Sequence, residues 1–207
     1  MQKAEALERF LQQEVKEASK RFLLSSMDHL KKEGKQEKIE VFVKDFQTLL
    51  RTCREKEENG VPVRYLQISL VRSKALCWQP FYTLEAFGDM FYLTEPIASK
   101  ESSLYWLYQE FEKFCRTIES ESRRYVRKIG FMELERIKLA ELITCNKIVK
   151  HMLNESLVYI INLEEFRELD PLQGIQIQMG EYRGPFETIF ETNEYTEKIG
   201  RWWHGIL

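Results

Sequence analysis

Residues 63–71 read VRYLQISLV, in which apolar and polar side chains alternate along most of the segment. Leu66, Ile68 and Leu70 share one face of this segment. A period of two predicts a β-strand with two different faces. Between residues 2 and 58 the apolar residues instead recur at helical spacing, about 3.6 residues apart. Because both periods occur in one chain, the sequence predicts an α+β fold.

Further strands are predicted on both sides of a long helical region. Residues 81–87 and 90–93 follow the first strand closely enough to form a three-stranded antiparallel meander with it. Residues 175–180 and 186–191 form a second hairpin with a turn between them. We therefore expect an antiparallel sheet of about five strands, with division into two small sheets as the alternative.

Long helices make up most of the remaining chain, at residues 2–32, 36–58, 102–128 and 131–166. Residues 157–161 are rich in β-branched side chains and also fit a buried strand, but we favour a helix there. The first two helices each carry a wide apolar stripe, which predicts an N-terminal helical hairpin. We expect residues 1–59 to form this hairpin and residues 60–207 to form the α+β domain, with its long helices packed on the sheet.

The charge balance limits the classes of partner. The 207 residues contain 31 Lys plus Arg and 33 Asp plus Glu, a net charge of −2. This balance gives no overall electrostatic reason to bind nucleic acid or an anionic membrane. No stretch longer than ten residues lacks a charge, whereas a membrane-spanning helix needs about 20 apolar residues. We expect no membrane segment and, because the start of the chain lacks the apolar run of a signal peptide, a cytoplasmic protein.

Motifs that carry chemistry are absent from the sequence. It contains no glycine-rich phosphate loop and no GxSxG nucleophile turn, and its three histidines are far apart. Cys53, Cys77, Cys115 and Cys145 form no CxxC pair, so we expect them to be reduced core residues. We therefore predict no cofactor, no metal site and no catalytic residue, and we lean against an enzyme.

The leading functional hypothesis is a non-catalytic interaction or assembly protein that acts as a homo-oligomer or with a protein partner. Apolar helical stripes can associate with a second chain as readily as with their own core, and a two-fold homodimer is the simplest closed assembly. The adjacent tryptophans near the C-terminus cannot both face one core, so we expect at least one of them at an edge or an interface. The candidate interface residues are Leu7, Leu11, Val15, Phe22, Phe42, Phe46, Trp202 and Trp203.

A small-ligand-binding protein or an enzyme with an aromatic-lined pocket is the alternative hypothesis. Aromatic side chains concentrate in and after the predicted meander, and rings with a few polar groups can line a ligand pocket. In this hypothesis an arginine holds an anionic group and Cys77 is a reactive thiol. The candidate residues are Arg64, Arg72, Cys77, Trp78, Tyr82 and Trp106.

Weak nucleic-acid binding through the end of a basic helix is the third hypothesis. Its candidate residues are Arg123, Arg124, Arg127 and Lys128, which could contact phosphates. The same residues also complement the negative end of a helix dipole. Glu119 and Glu121 lie among them, which together with the net charge weighs against a nucleic-acid partner.

Overall fold

The computed structural model describes residues 2–31, 34–57, 62–125, 128–169 and 174–192. Its N-terminal elements are α1 (Lys3–Phe10), a π-helical segment (Leu11–Val15), α2 (Lys16–His29) and α3 (Lys35–Glu57). Next come β1 (Tyr65–Leu70), α4 (Arg72–Leu76), β2 (Tyr82–Phe87), a 3₁₀ turn (Phe91–Leu93) and β3 (Ala98–Glu101). The chain continues with α5 (Tyr105–Ser122), a 3₁₀ turn (Arg123–Tyr125), α6 (Phe131–Ile161), α7 (Glu164–Arg167), β4 (Gln176–Glu181) and β5 (Phe186–Glu191). The predicted α+β class is confirmed, and residues 157–161 are helical, as favoured.

The strands form one five-stranded sheet in the order β3-β2-β1-β4-β5. Strand β1 is antiparallel to β2, where Ile68 lies opposite Leu84, and parallel to β4, where Ile68 lies opposite Met179. The prediction of a purely antiparallel sheet is therefore wrong, because the sheet is mixed. Alternation of side chains identifies a strand but not its direction, and a long connection allows a strand to return parallel to its neighbour.

The predicted strand at residues 90–93 is also wrong, because these residues form a 3₁₀ turn. Phe91 has a φ of 48°, and its ring centroid lies 4.9 Å from that of Tyr65 and 5.7 Å from that of Phe87. Packing of these rings favours a turn over an extended strand. The third strand of the meander is β3, which pairs with β2 so that Ala98 lies opposite Ala86.

The chain folds as two compact units that alternate along the sequence. The helical unit comprises residues 1–38, 72–81 and 104–152, and the sheet unit comprises residues 39–71, 82–103 and 153–207. A division near residue 59 into a hairpin and a separate domain stays a prediction.

Aromatic packing fills the core of the helical unit. The ring of Phe22 in α2 lies 6.2 Å from that of Phe111 and 6.0 Å from that of Phe114, both in α5. At the start of the chain, Phe10 packs edge-on against Tyr125 at 5.2 Å. These buried rings join α1 and α2 to α5 and to the turn that follows it.

A polar contact also joins α2 to α5. The buried Glu110 carboxylate accepts hydrogen bonds from Ser25 Oγ at 2.8 Å and from Lys113 Nζ at 2.6 Å, and His29 Nε2 lies 3.3 Å away. Burial alone would raise the pKa of Glu110, but the hydrogen bonds from Lys113, Ser25 and His29 outweigh it and lower this pKa below its ordinary value.

The two faces of the sheet differ in chemistry. Leu66, Ile68 and Leu70 lie on one face with Leu84 and Tyr82 of the neighbouring strand, and all five side chains are buried. The opposite face carries polar side chains that are buried as well, namely Gln67, Ser69, Thr83 and Glu85. In α3, Asp45 accepts the backbone N–H of Ser103 at 2.6 Å and so fixes the segment after β3.

The substitution Phe22→Ala tests the aromatic core, with Leu24→Ala on the same helix as the matched control because Leu24 is exposed. Loss of a buried ring leaves a cavity, so we expect Phe22→Ala to lower the free energy of unfolding by about 3 to 5 kcal/mol. The control should change it by less than about 0.5 kcal/mol. Urea denaturation measures both values, and similar losses in the two variants would contradict this assignment of the core.

The Glu110 contact predicts a specific dependence of stability on pH. A carboxylate whose pKa is lowered by folding contributes stability above its unfolded-state pKa and loses it as the pH falls through the folded-state value. We expect wild type to be more stable than Glu110→Gln at about pH 7, with the difference shrinking towards about pH 3. Urea midpoints at both pH values measure this, and a difference that stays constant would contradict it.

Candidate functional site

The most unusual backbone position in the helical unit is Trp78, where φ is 57°. It follows α4, whose end is closed by hydrogen bonds from the backbone N–H groups of Cys77 and Gln79 to the carbonyl of Lys74, both 3.1 Å. The bond from Gln79 is the six-to-one bond of a Schellman cap, which places Trp78 at the position that glycine normally occupies. A bulky residue in this left-handed conformation costs roughly 1 to 2 kcal/mol, and such outliers cluster at functional sites.

The Trp78 side chain borders a cleft of about 210 Å³ between the loop after α4 and one face of α5. Tyr105, Tyr108 and Phe111 contribute from the helix, and Pro80 and Phe81 contribute from the loop. The rings of Phe81 and Tyr108 lie 4.6 Å apart. We call this site the Trp78 cleft.

Trp78 is exposed over 53% of its surface although it borders the cleft. One face of its ring is partly covered by Lys138, whose Nζ lies 5.5 Å from the ring centroid. This cation–π contact favours the observed orientation of the ring without burying it. The cleft therefore offers an oriented aromatic side chain to a binding partner.

The structure brings together only part of the predicted ligand site. Trp78 lines the cleft, and Cys77 lies beside it with an exposed side chain. Trp106 does not line it, because it lies on another side of α5, where its ring centroid is 5.5 Å from that of His29. Arg72 is exposed on α4 and is not among the cleft residues.

Two predicted ligand residues belong to the sheet unit instead. The Nε of Arg64 lies 2.7 Å from the carboxylate of Asp89. Tyr82 is fully buried on the apolar face of the sheet. Its side chain therefore presents no surface to a ligand.

The residues of α5 that complete the cleft were not predicted from the sequence. Tyr105, Tyr108, Gln109 and Glu112 line it. Their spacing along the helix, three, four and seven residues from the first, places them on one face. This spacing was the signal available in the sequence, but the helix has other apolar positions, so spacing alone does not identify the face that borders a cleft.

The candidate interface residues separate into buried and partly exposed groups. Phe22, Phe42 and Phe46 are buried in the core, so the interface hypothesis does not extend to their side chains. Leu11 is exposed, and Leu7 and Val15 are half-buried. The remaining two candidates, Trp202 and Trp203, lie outside the described residues.

The basic residues after α5 are partly ion-paired with acidic neighbours. The Arg124 guanidinium lies 2.6 Å from the Glu121 carboxylate and 3.9 Å from that of Glu14. Arg123 is exposed and Lys128 is half-buried, while Arg127 lies outside the described residues. Ion pairing of Arg124 reduces the charge that this cluster offers to phosphates.

Neither a metal-binding cluster nor a membrane-spanning helix is found among the described residues. No group of three or more His, Cys, Asp or Glu side chains in that part of the chain is placed to hold a metal ion. Within the same residues, no helix combines the length and apolar character needed to cross a membrane.

The fold and the Trp78 cleft define the class of structure as an α+β protein with a mixed five-stranded sheet and an aromatic cleft on a helical unit. No protein-family model matches the chain, and neither a curated protein nor a solved structure shows significant similarity to it.

The four cysteines differ in their surroundings. Cys53, Cys115 and Cys145 are buried, whereas Cys77 is exposed, so the prediction that all four are core residues is wrong for Cys77. Burial raises the pKa of Cys115 to about 12 and also raises that of Cys145. Both thiols are therefore protonated and inaccessible in the folded chain.

Thiol labelling with Ellman's reagent should distinguish these environments. Because the thiolate is the reacting form and must be accessible, we expect one thiol to react rapidly in the native protein and all four to react in urea. The rapid phase should disappear in Cys77→Ser and persist in Cys53→Ser. Rapid labelling of two or more thiols in the native protein would contradict the assigned burial.

Proposed function

We propose that this chain is a non-catalytic assembly protein that forms a two-fold homodimer through the Trp78 cleft. The observation that carries the proposal is the exposed Trp78 side chain, held in the left-handed conformation at a helix cap where glycine is preferred. Tryptophan and tyrosine are the side chains most often responsible for binding energy at protein interfaces, and Trp78 and Tyr105 both border this cleft.

The volume of the cleft favours a protein side chain over a drug-sized cofactor or substrate. Sites for drug-sized ligands usually enclose about 300 to 1,000 Å³, whereas this cleft encloses about 210 Å³. Such a space accommodates one apolar side chain. Insertion of a side chain into a small aromatic pocket is the arrangement found at the centre of many protein interfaces.

A suitable side chain protrudes from the same unit of the chain. Phe131 and Met132, at the start of α6, are exposed over 72% and 61% of their surfaces. We call this pair the Phe131 knob. Its base is fixed by Glu133, which accepts the backbone N–H of Gly130 at 2.9 Å and lies 2.6 Å from Lys3 Nζ. A fixed knob loses little conformational entropy on binding.

A cleft and a knob on one chain can associate reciprocally. If Phe131 of each knob enters the cleft of the other chain, the two contacts are related by a two-fold axis and the assembly closes as a dimer. The contact is made twice, so its binding energy also counts twice. These features support a homodimer more than the binding of a different protein.

Sedimentation velocity over a range of concentrations tests the proposal. We expect wild type to be a dimer and Trp78→Gly and Phe131→Ser to be monomers. Ile143→Ser is the matched control, because Ile143 is exposed over 55% of its surface on the same helix as Phe131, and it should remain a dimer. Glycine also relieves the strained φ, so Trp78→Gly should lower the free energy of unfolding by less than about 1 kcal/mol.

Mixing the two monomeric variants provides a sharper test. The Phe131→Ser chain keeps its cleft and the Trp78→Gly chain keeps its knob, so the mixture retains one of the two contacts. We expect a weak heterodimer in the mixture and none in either variant alone. A monomeric wild type, or loss of the dimer in Ile143→Ser, would overturn the proposal.

A further inference from the structure

A second cavity lies in the sheet unit, on the polar face of the sheet. It encloses about 240 Å³ and is lined by residues that include Glu85, Phe87, Tyr92, Glu95, Tyr182 and Arg183. We call it the Glu85 pocket. All of these residues belong to one compact unit, which differs from the unit that carries the Trp78 cleft.

A chain of hydrogen bonds crosses the sheet beside this pocket. Tyr92 Oη donates to Gln67 Oε1 at 2.9 Å, and Gln67 Nε2 donates to Gln178 Oε1 at 2.9 Å. Gln178 Nε2 then donates to Gln176 Oε1 at 2.7 Å, and Gln176 Nε2 donates to Glu191 Oε1 at 3.1 Å. An ionised carboxylate only accepts hydrogen bonds, so Glu191 sets the direction of the chain and Tyr92 must donate at its other end.

The hydroxyl of Tyr92 therefore stays protonated, and its surroundings favour the protonated form. Burial and the nearby negative charge of Glu85 both raise the pKa of Tyr92. Glu85 itself is only 6% exposed, and Ser69 Oγ lies 3.5 Å from its carboxylate. The acidic side chain at this pocket is therefore a buried one.

The walls of the pocket are aromatic. The ring centroids of Phe87 and Tyr92 lie 5.0 Å apart in an edge-to-face arrangement. Tyr182 lines the pocket from the turn between β4 and β5. The faces of aromatic rings attract cations. Arg183 illustrates this attraction, since its guanidinium carbon lies 5.4 Å from the centroid of the Tyr182 ring.

We propose that the Glu85 pocket binds the cationic head group of an organic amine. The buried carboxylate supplies the opposite charge, and the aromatic walls accept both the cation and the carbon atoms next to it. Glu95 adds a second carboxylate to the lining. Arg183 is the only cationic residue among the described lining residues, and it is exposed, so an anionic ligand would meet two carboxylates and one solvated guanidinium.

Three compounds of equal length separate the possible ligand classes: n-butylammonium, n-butanol and n-butyrate. Amide NMR of the wild-type protein measures binding residue by residue. We expect butylammonium to shift the resonances of Glu85, Tyr92 and Tyr182 with a dissociation constant of roughly 1 to 10 mM, as suits so small a ligand. Butanol and butyrate should bind at least about tenfold more weakly, since neither provides a cation for the carboxylate.

Substitutions connect this binding to the proposed residues. Glu85→Gln keeps the shape of the side chain and should weaken butylammonium binding about tenfold or more, because it removes the buried charge. Glu187→Gln, on β5 and outside the lining of the pocket, is the control and should change binding by less than about twofold, since an exposed charge is screened by water. Tyr182→Leu, at an exposed position, should weaken binding without unfolding the protein, whether or not Glu85→Gln folds.

Three results would overturn the proposal: equal binding of butanol and butylammonium, preferential binding of butyrate, or unchanged binding in Glu85→Gln and Tyr182→Leu. None of these results bears on the dimer, which depends on residues of the helical unit. The two proposals can therefore fail separately.

Discussion

The parallel pairing of β1 with β4 is the constraint on which the rest of the architecture depends. Parallel neighbours cannot be joined by a tight turn, so the chain must return to the same end of the sheet through a long crossover. That connection contains β2, β3 and the helices α4 to α7, and α4, α5 and most of α6 belong to the helical unit. Strand β1 is thereby paired on both sides, and its apolar Leu66, Ile68 and Leu70 and its polar Gln67 and Ser69 are all buried.

Periodicity predicted the elements of this fold better than their arrangement. The strands at 65–70, 82–87, 176–181 and 186–191 and the long helices lie close to the predicted positions, because each has one buried face that repeats with its own period. The direction of a strand has no effect on this periodicity, so the parallel pairing of β1 with β4 was not predicted. The turn at 91–93 was misread as a strand because its conformation depends on packing of Phe91 against Phe87 and the distant Tyr65, which the alternation of residue types does not show.

The candidate sites were harder to predict for a related reason. A glycine after α4 would have indicated a left-handed residue at the helix cap, but the chain has Trp78 there. The neighbouring residues give no sign of the positive φ of Trp78. Similarly, alternation in 63–71 showed that Gln67 and Ser69 share a face but not that this face is buried. A polar face usually meets water in a half-covered sheet. In both cases the property that marks the site depends on the tertiary structure: the backbone conformation of Trp78 and the burial of Gln67.

Both sites also lie where the chain departs from the residues that stability alone would select. A glycine would relieve the backbone at Trp78, and apolar side chains on the second sheet face would avoid the cost of burying amides and a carboxylate. A buried polar network is tolerable only when its members are hydrogen-bonded, and the chain from Tyr92 to Glu191 meets that condition by running in one direction. Departures from local preference concentrate at functional sites. Because the two departures are in different units and involve unrelated chemistry, each gives its own reason to look for a binding partner.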